Sequence, residues 1–290
     1  MLENKHEWVD LYDELSYQLA ERPLNTVERV LFARAAMETV HLSEAENICK
    51  SLIEEGYELG EIFAILGGVF QKSDKLNLAK ENLQKAVKIS PENPTAWLKL
   101  SSVYQSEGNE DEALSILRSS VLAAPDSPEI YYSLSVFCLQ KNLFSEALPY
   151  LRKALSLDEE NSKYQIDLVR VLKVLGHDEE AQKTLEKARY IWPDHPELAY
   201  MAAINFLEQG DFEAALDTLD SAIRNSQSVP LEWYVLYAKI ILGENSENLL
   251  ISDSLNLDYS KIIKAQKFLL LGLREQPNDL IAQEFLAEVY

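Results

Sequence analysis

The chain has 290 residues, 47% of them hydrophobic, and its 27 basic and 48 acidic side chains give a net charge of −21. This excess of carboxylates opposes binding to a phosphate backbone, so nucleic acid is excluded as an expected ligand. No secretory signal is recognisable, and the apolar runs are far shorter than the roughly 20 residues that span a bilayer. We therefore expect a soluble protein without membrane insertion. Two distant cysteines, Cys49 and Cys138, form no metal-type or redox spacing, which favours a reducing compartment such as the cytoplasm.

The first predicted element is an amphipathic helix that ends near Pro23. Its apolar residues recur at helical spacing and share one face, and they are Trp8, Leu11, Leu15 and Leu19. We expect this segment, residues 1–25, to cap the elements that follow.

From residue 26 onward the chain repeats itself every 34 residues. An alanine recurs at this interval, at Ala45, Ala79, Ala113, Ala147, Ala181 and Ala215. Four residues after each alanine come Cys49, Leu83, Leu117, Leu151, Leu185 and Leu219. Ala265 and Leu269 continue the series after 265 − 215 = 50 residues, which is one period plus an insertion of 16. A fixed period of this length is typical of a repeat protein.

Each repeat is predicted to contain two amphipathic helices. The first helix carries a leucine with large apolar neighbours three residues before and four after it, as in Trp97, Leu100 and Tyr104. Glycines mark the turn to the second helix at Gly108, Gly176 and Gly210, and prolines close four repeats at Pro91, Pro125, Pro193 and Pro277. The recurring alanine has no large side chain, so it allows the two helices to approach closely.

This pattern resembles the tetratricopeptide repeat over about residues 26–290. The resemblance implies an all-α fold, an α-solenoid of helix-turn-helix repeats that forms a right-handed superhelix. We expect about seven repeats and a final helix, with an insertion at about 243–258, and we find no linker that would mark a domain boundary. The first repeat departs most from the pattern, because Arg29 stands where the other repeats have a large residue.

The sequence contains no motif for catalysis. A Gly-rich phosphate loop, a GxSxG elbow, an HExxH pair and spaced Cys or His ligands are all missing, so we predict no enzyme activity, cofactor or metal. Gly67 and Gly68 fall inside a predicted helix, where we expect them to permit close packing.

The resemblance implies that the first helices line a concave wall, which is the usual ligand site of such proteins. Some family members bind the carboxylate tail of heat-shock chaperones with Lys and Asn at two wall positions, and this chain has neither residue there. The wall residues predicted to bind a partner are Tyr132, Val136, Leu139, Ile166, Arg170, Lys173, Tyr200, Ile204, Leu207, Tyr234, Ala238 and Ile241. An apolar groove with tyrosine anchors and a basic pair suits an amphipathic helix or an extended peptide. The alternative is that these side chains pack against adjacent helices and line no open groove.

Two segments near the C-terminus leave alternatives open. The insertion combines acids with leucines, so it either extends a helix or folds across the groove near Tyr234. The final helix carries Leu280, Phe285, Leu286, Val289 and Tyr290, which are either covered by a partner or a dimer mate or tolerated as an exposed end.

We therefore expect a non-catalytic scaffold or adaptor that binds a peptide or helix of a partner protein. One alternative is a structural protein that forms a homodimer through its C-terminal helix. Another is an accessory repeat array that serves an enzyme or a secretion or assembly complex.

Overall fold

A computed structural model describes residues 2–242, 259–280, 282, 283 and 286 of the chain. These residues form fifteen helices and contain no strand, so the predicted all-helical fold class is confirmed. The predicted insertion at 243–258 lies outside the described residues, as do Phe285, Val289 and Tyr290 of the predicted final helix.

The first helix, α1 (Leu2–Glu21), precedes a series of helix pairs. The pairs up to residue 160 are α2 (Thr26–Glu38) with α3 (Leu42–Glu54), α4 (Gly60–Lys72) with α5 (Leu76–Ile89), α6 (Pro94–Ser106) with α7 (Glu110–Ala123), and α8 (Pro128–Gln140) with α9 (Phe144–Leu157). The later pairs are α10 (Ser162–Val174) with α11 (Asp178–Ile191), α12 (Pro196–Glu208) with α13 (Phe212–Asn225), and α14 (Leu231–Leu242) with α15 (Tyr259–Glu275).

The chain divides into two compact units, Met1–Glu160, called unit 1, and Asn161–Tyr290, called unit 2. The sequence has no linker at this point, and we predicted no boundary there. In a repeat array each helix pair contacts only its neighbours. The chain can therefore divide between two pairs without a linker or a change in amino-acid composition.

Side chains and prolines fix the starts of the first helices. Asn25 accepts a hydrogen bond from the Glu28 backbone amide at 3.0 Å, and the Glu28 carboxylate accepts one from the Asn25 amide at 2.9 Å. This capping box satisfies two amides that a helix start leaves without partners. Pro94, Pro128 and Pro196 begin α6, α8 and α12, where a missing amide hydrogen has no cost.

The turn within each of the first six pairs contains one residue with a positive φ angle. These residues lie 34 positions apart, at Val40, Asp74, Gly108, Asn142, Gly176 and Gly210, with φ between 57° and 78°. The amide that follows bonds back to the first helix, as in Asn109 N to Tyr104 O at 2.9 Å. The three predicted turn glycines are confirmed, and three other residue types adopt the same conformation.

The recurring alanines lie at the centre of each pair. The six alanines from Ala45 to Ala215 are 0% exposed, and the residues that follow them by four are at most 3% exposed. Gly67 serves the same purpose, since an added Cβ would lie 2.4 Å from Cγ of Leu83. The predicted close contact between paired helices is therefore confirmed.

The ends of the chain are packed to different degrees. In α1, Leu15 is buried with Leu24 and Phe32, and the Tyr12 hydroxyl donates to the Glu44 carboxylate at 2.6 Å. In unit 2, Leu286 packs partly against the core of α12 to α15, whereas Leu280 is 71% exposed.

Candidate binding surface

The first helices of unit 1 form a continuous wall. Helices α2, α4, α6 and α8 contact one another in succession, and we call their shared surface the first-helix wall of unit 1. On α8, the predicted site residues Tyr132, Val136 and Leu139 are partly buried. The fully buried positions of that helix are taken by other residues, among them Leu134 and Phe137. The three predicted residues thus lie beside the core rather than within it.

The opposite end of the same wall carries a charged cluster, which consists of Arg34, Glu38, Glu61, Lys72 and Lys99. Arg34 pairs with Glu61 at 2.7 Å, and Lys72 pairs with Glu38 at 3.0 Å. The Lys99 ammonium lies 3.9 Å from the same Glu38 carboxylate. Cations from three successive first helices therefore share two carboxylates.

Lys99 is the least exposed cation of this cluster. Burial lowers the pKa of its ammonium, Glu38 opposes that shift, and the positive charges of Lys72 and Arg34 add to it. The end of the Lys99 side chain lies near Gly68, at an ordinary contact distance of 3.4 Å from where a Cβ would stand. The same Cβ would lie 2.4 Å from the Met37 sulfur, so the glycine permits the close approach of α2 and α4.

In unit 2, the predicted basic pair on α10 is neutralised by acids. Arg170 pairs with Asp167 and with Glu197, and Lys173 pairs with Glu208 at 2.7 Å and Asp178 at 3.7 Å. Ile166 is only 3% exposed and belongs to the broad buried face of α10.

The α12 residues of the predicted site are partly buried. Tyr200 stacks on Trp233 of α14, with ring centroids 4.8 Å apart, and burial raises the pKa of its phenol, with a further contribution from Glu232. Ile204 and Leu207 follow along the same helix and are also partly buried. Tyr200, Val235 and Lys239 help to line a shallow cavity of about 340 Å³ within unit 2.

The predicted residues of α14 contribute less surface. The Tyr234 ring packs on Phe268 of α15, the other helix of its pair, at a centroid distance of 5.8 Å. Ala238 is 0% exposed. Ile241 lies in α14, but its side chain is outside the described residues. The packing alternative raised by the sequence thus accounts for Ile166 and Ala238 and for part of the Tyr234 ring.

The charged cluster around Lys99 was not predicted from the sequence. Lys72 stands 72 − 38 = 34 residues after Glu38, so a search for opposite charges one period apart would have found that pair. Lys99 gives no comparable signal, because its spacing from Lys72 and Arg34 matches no multiple of the period.

The described residues contain no group of three or more His, Cys, Asp or Glu side chains that could hold a metal ion. None of the helices formed by the described residues is long and apolar enough to cross a membrane.

Two family models, both described as tetratricopeptide repeat, match the chain. One matches residues 71–135 and 139–191, and the other matches 166–230 and 200–243. No match was found among curated protein sequences.

Solved structures with the same fold include a chain of the APC/C hetero-tetramer Cut9–Hcn1, with a TM-score of 0.62 and 16% identity over 97% of this chain. This chain spans 52% of that one. PilF of Pseudomonas aeruginosa aligns with a TM-score of 0.62 and 19% identity, over 79% of this chain and 97% of its own. A tetratricopeptide repeat protein from Parabacteroides merdae aligns with a TM-score of 0.56 and 17% identity, over 97% of this chain and 99% of its own. These likenesses show the fold.

Proposed function

The chain belongs to the tetratricopeptide repeat family, and because such repeats generally mediate protein–protein interaction, we propose that it is a non-catalytic adaptor that holds a peptide or helix of a partner protein against its first helices.

The observation that carries this proposal is a set of partly buried apolar side chains that recurs on two first helices. Tyr132, Val136 and Leu139 on α8 correspond to Tyr200, Ile204 and Leu207 on α12, since each pair is 68 residues, or two periods, apart. Side chains of this kind present apolar area without forming the core of their helix pairs. Aromatic anchors surrounded by aliphatic residues are typical of the centre of a protein interface.

The remaining predicted residues have smaller parts in this surface. Ile166 and Ala238 are buried, so a partner would not contact them directly. Arg170 and Lys173 already contact two carboxylates each, so an acidic partner group would compete with those pairs. Within each unit, we therefore assign the main share of the binding energy to the apolar residues of one first helix, α8 in unit 1 and α12 in unit 2.

Site-specific photo-crosslinking tests the proposal. A photoreactive phenylalanine analogue is placed at Val136 or Ile204 in the full chain, and matched controls carry it at Leu122 or Tyr190, which are 86% and 89% exposed on second helices. We expect a partner in cell extract to crosslink at positions 136 and 204, and the crosslink to be lost when Tyr132→Ala is added. Crosslinking that is equal or stronger at positions 122 and 190 would place the interface on the second helices and contradict the proposal.

Self-association through the final helix stays a second prediction, supported by the exposure of Leu280. Sedimentation of the purified chain distinguishes self-association from the adaptor proposal, because an adaptor of this kind stays a monomer and Leu280→Glu leaves its size unchanged.

We also propose a reducing compartment such as the cytoplasm, because Cys49 and Cys138 are both free and buried.

A further inference from the structure

The shallow cavity of unit 2, which we call the Tyr200 cavity, has charged ends and an apolar middle. One stripe of α14 forms a wall, because Glu232, Val235 and Lys239 stand three and four residues apart. Tyr200 of α12 adds an aromatic ring, and Asp279, which follows α15, adds a second carboxylate. A cavity of about 150 Å³ can hold a benzene molecule, so one long side chain fits into the 340 Å³ of this cavity.

Glu232 differs from the other acids on the first helices of unit 2. The three helices α10, α12 and α14 carry four acids. Three of them pair with Arg170 or Lys173, and these are Asp167, Glu197 and Glu208. Glu232 is exposed, and within the part of the chain that the structure describes it has neither an ion pair nor a side-chain hydrogen bond. Its carboxylate is therefore available to a cation from outside the chain.

The Glu232 carboxylate lies at the end of the cavity that contains the Tyr200 phenol. Burial raises the pKa of this phenol and the Glu232 charge raises it further, whereas Arg170 acts in the opposite direction. Trp233 stacks on the Tyr200 ring and holds it in place. A cation bound here would be attracted by the carboxylate and by the electron-rich ring.

We propose that the Tyr200 cavity receives a lysine or arginine side chain of the partner, with its charged group at Glu232 and its aliphatic stem against Val235 and Tyr200. This inference rests on the proposed function and names one chemical feature of the partner. Both side chains combine a long apolar stem with a terminal charge, as the cavity combines an apolar middle with an acidic end. The net charge of −21 also attracts a basic segment from a distance.

The charges around the cavity favour a basic ligand over an acidic one. Glu232 and Asp279 are two carboxylates against the single ammonium of Lys239. Lys239 is already engaged by another group, and it stands seven residues after Glu232, which is about 10 Å along the helix. Tyr200 belongs both to the cavity and to the apolar surface of α12, where Ile204 follows one turn later. The ligand that fits is a peptide with apolar residues on α12 and a basic residue in the cavity.

Random-peptide display against the full chain provides the probes for a test. We expect selected sequences to carry a Lys or Arg beside apolar residues, and the same selection against Glu232→Gln to lose the basic residue while keeping the apolar ones. Glu213→Gln is the matched control, because it removes an exposed carboxylate from the second helix α13 and changes the net charge equally. The control should leave the selected sequences unchanged.

Fluorescence anisotropy with one selected peptide then isolates the contact. Glu232→Gln should weaken binding about fivefold, which corresponds to about 1 kcal/mol and is the upper end for an exposed ion pair. Replacing the peptide's basic residue by norleucine should remove this difference. Glu232→Lys should weaken binding further, and it should bind a peptide with Glu at the basic position more tightly than the natural chain does. Thermal unfolding checks that both variants are folded.

The outcomes separate this inference from the proposed function. If the peptides bind the first helices, as shown by loss with Tyr132→Ala or Ile204→Ala, but carry no basic residue that depends on Glu232, the cation site is refuted and the adaptor proposal stands. If none of these substitutions, nor Glu232→Gln, affects any selected peptide, both proposals fail. Equal weakening by Glu232→Gln and Glu213→Gln would indicate a general attraction to an acidic chain, and selected acidic peptides that depend on Lys239 would indicate an anion site; either result would overturn the inference.

Discussion

The phenol ring of Tyr200 on α12 stacks on the indole of Trp233 on α14, with ring centroids 4.8 Å apart and planes inclined by 12°. Trp233 is buried, and Tyr200 is partly buried above it. The tyrosine therefore joins two consecutive first helices and also presents surface to a partner. A substitution that tests binding at Tyr200 has to keep this ring in place.

Tyr200→Ala is expected to lower the free energy of unfolding by about 2 kcal/mol, because it removes an aromatic pair and uncovers the indole. Tyr200→Phe keeps the stacked ring and should change stability by less than about 0.5 kcal/mol. Urea unfolding measures both, with Tyr190→Ala, at an 89% exposed position, as the neutral control. Equal effects of Tyr200→Ala and Tyr190→Ala would mean that the two rings are not stacked in solution.

The sequence predicted the helix pairs well because one physical constraint recurs in every repeat. Ala113, for example, was placed in the contact between paired helices by its 34-residue spacing alone, and the structure buries it completely. Helix starts followed from local chemistry, such as the capping box at Asn25 and Glu28.

The candidate site was less predictable because its character depends on residues in other repeats. Spacing places Arg170 on the wall, but Glu197, which pairs with it, comes from the next repeat, and the pattern within one helix does not indicate that pair. Tyr234 shares its register with Tyr200, yet packs on Phe268, which follows the insertion. Register predicts the side of a helix on which a residue lies, whereas exposure also depends on the size of the neighbouring side chains.

Val40→Gly is expected to raise the stability of the chain by about 0.5–1 kcal/mol. Val40 has a φ angle of 68° and is 63% exposed, so the substitution relieves a strained backbone and removes little buried surface. Thermal unfolding provides the measurement.

The reverse substitution at the same turn of another repeat is the control for Val40. Gly108 has a φ angle of 77°, and no heavy atom lies within 4 Å of an added Cβ, so Gly108→Val tests backbone strain without a clash. It should cost about 1–2 kcal/mol. A Val40→Gly variant less stable than the natural chain would rule out the left-handed conformation of that turn.

Ala113→Leu should cost about 1–3 kcal/mol, because it forces a large side chain into the contact between α6 and α7. Ser101 of α6 donates a hydrogen bond to the Ala113 carbonyl at 3.2 Å, which shows how close the two helices are. Ser119→Leu adds a side chain of the same kind on the exposed side of α7 and should stay within about 0.5 kcal/mol. Equal unfolding midpoints for the two variants would show that the repeat register is wrong, and with it every wall assignment that depends on that register.

Acid should selectively weaken the capping box at the start of α2. The Arg22 guanidinium, together with the Asn25 backbone amide, lowers the pKa of Glu28 from 4.5 to about 2. A carboxylate whose pKa is lower in the folded than in the unfolded chain stabilises the fold above the unfolded value, and this stabilisation is lost as the pH falls toward the folded value. The difference in urea midpoint between the natural chain and Glu28→Gln should therefore be constant above about pH 5.5 and should shrink between pH 4.5 and 2.

The Glu28 carboxyl group can also be followed directly, and its resonance should titrate with a pKa near 2. Because Arg22 is half exposed, high salt should screen its charge and raise this pKa. A midpoint difference that does not vary with pH, or a carboxyl titration near 4.5, would show that Glu28 does not form the Arg22 and Asn25 contacts in solution.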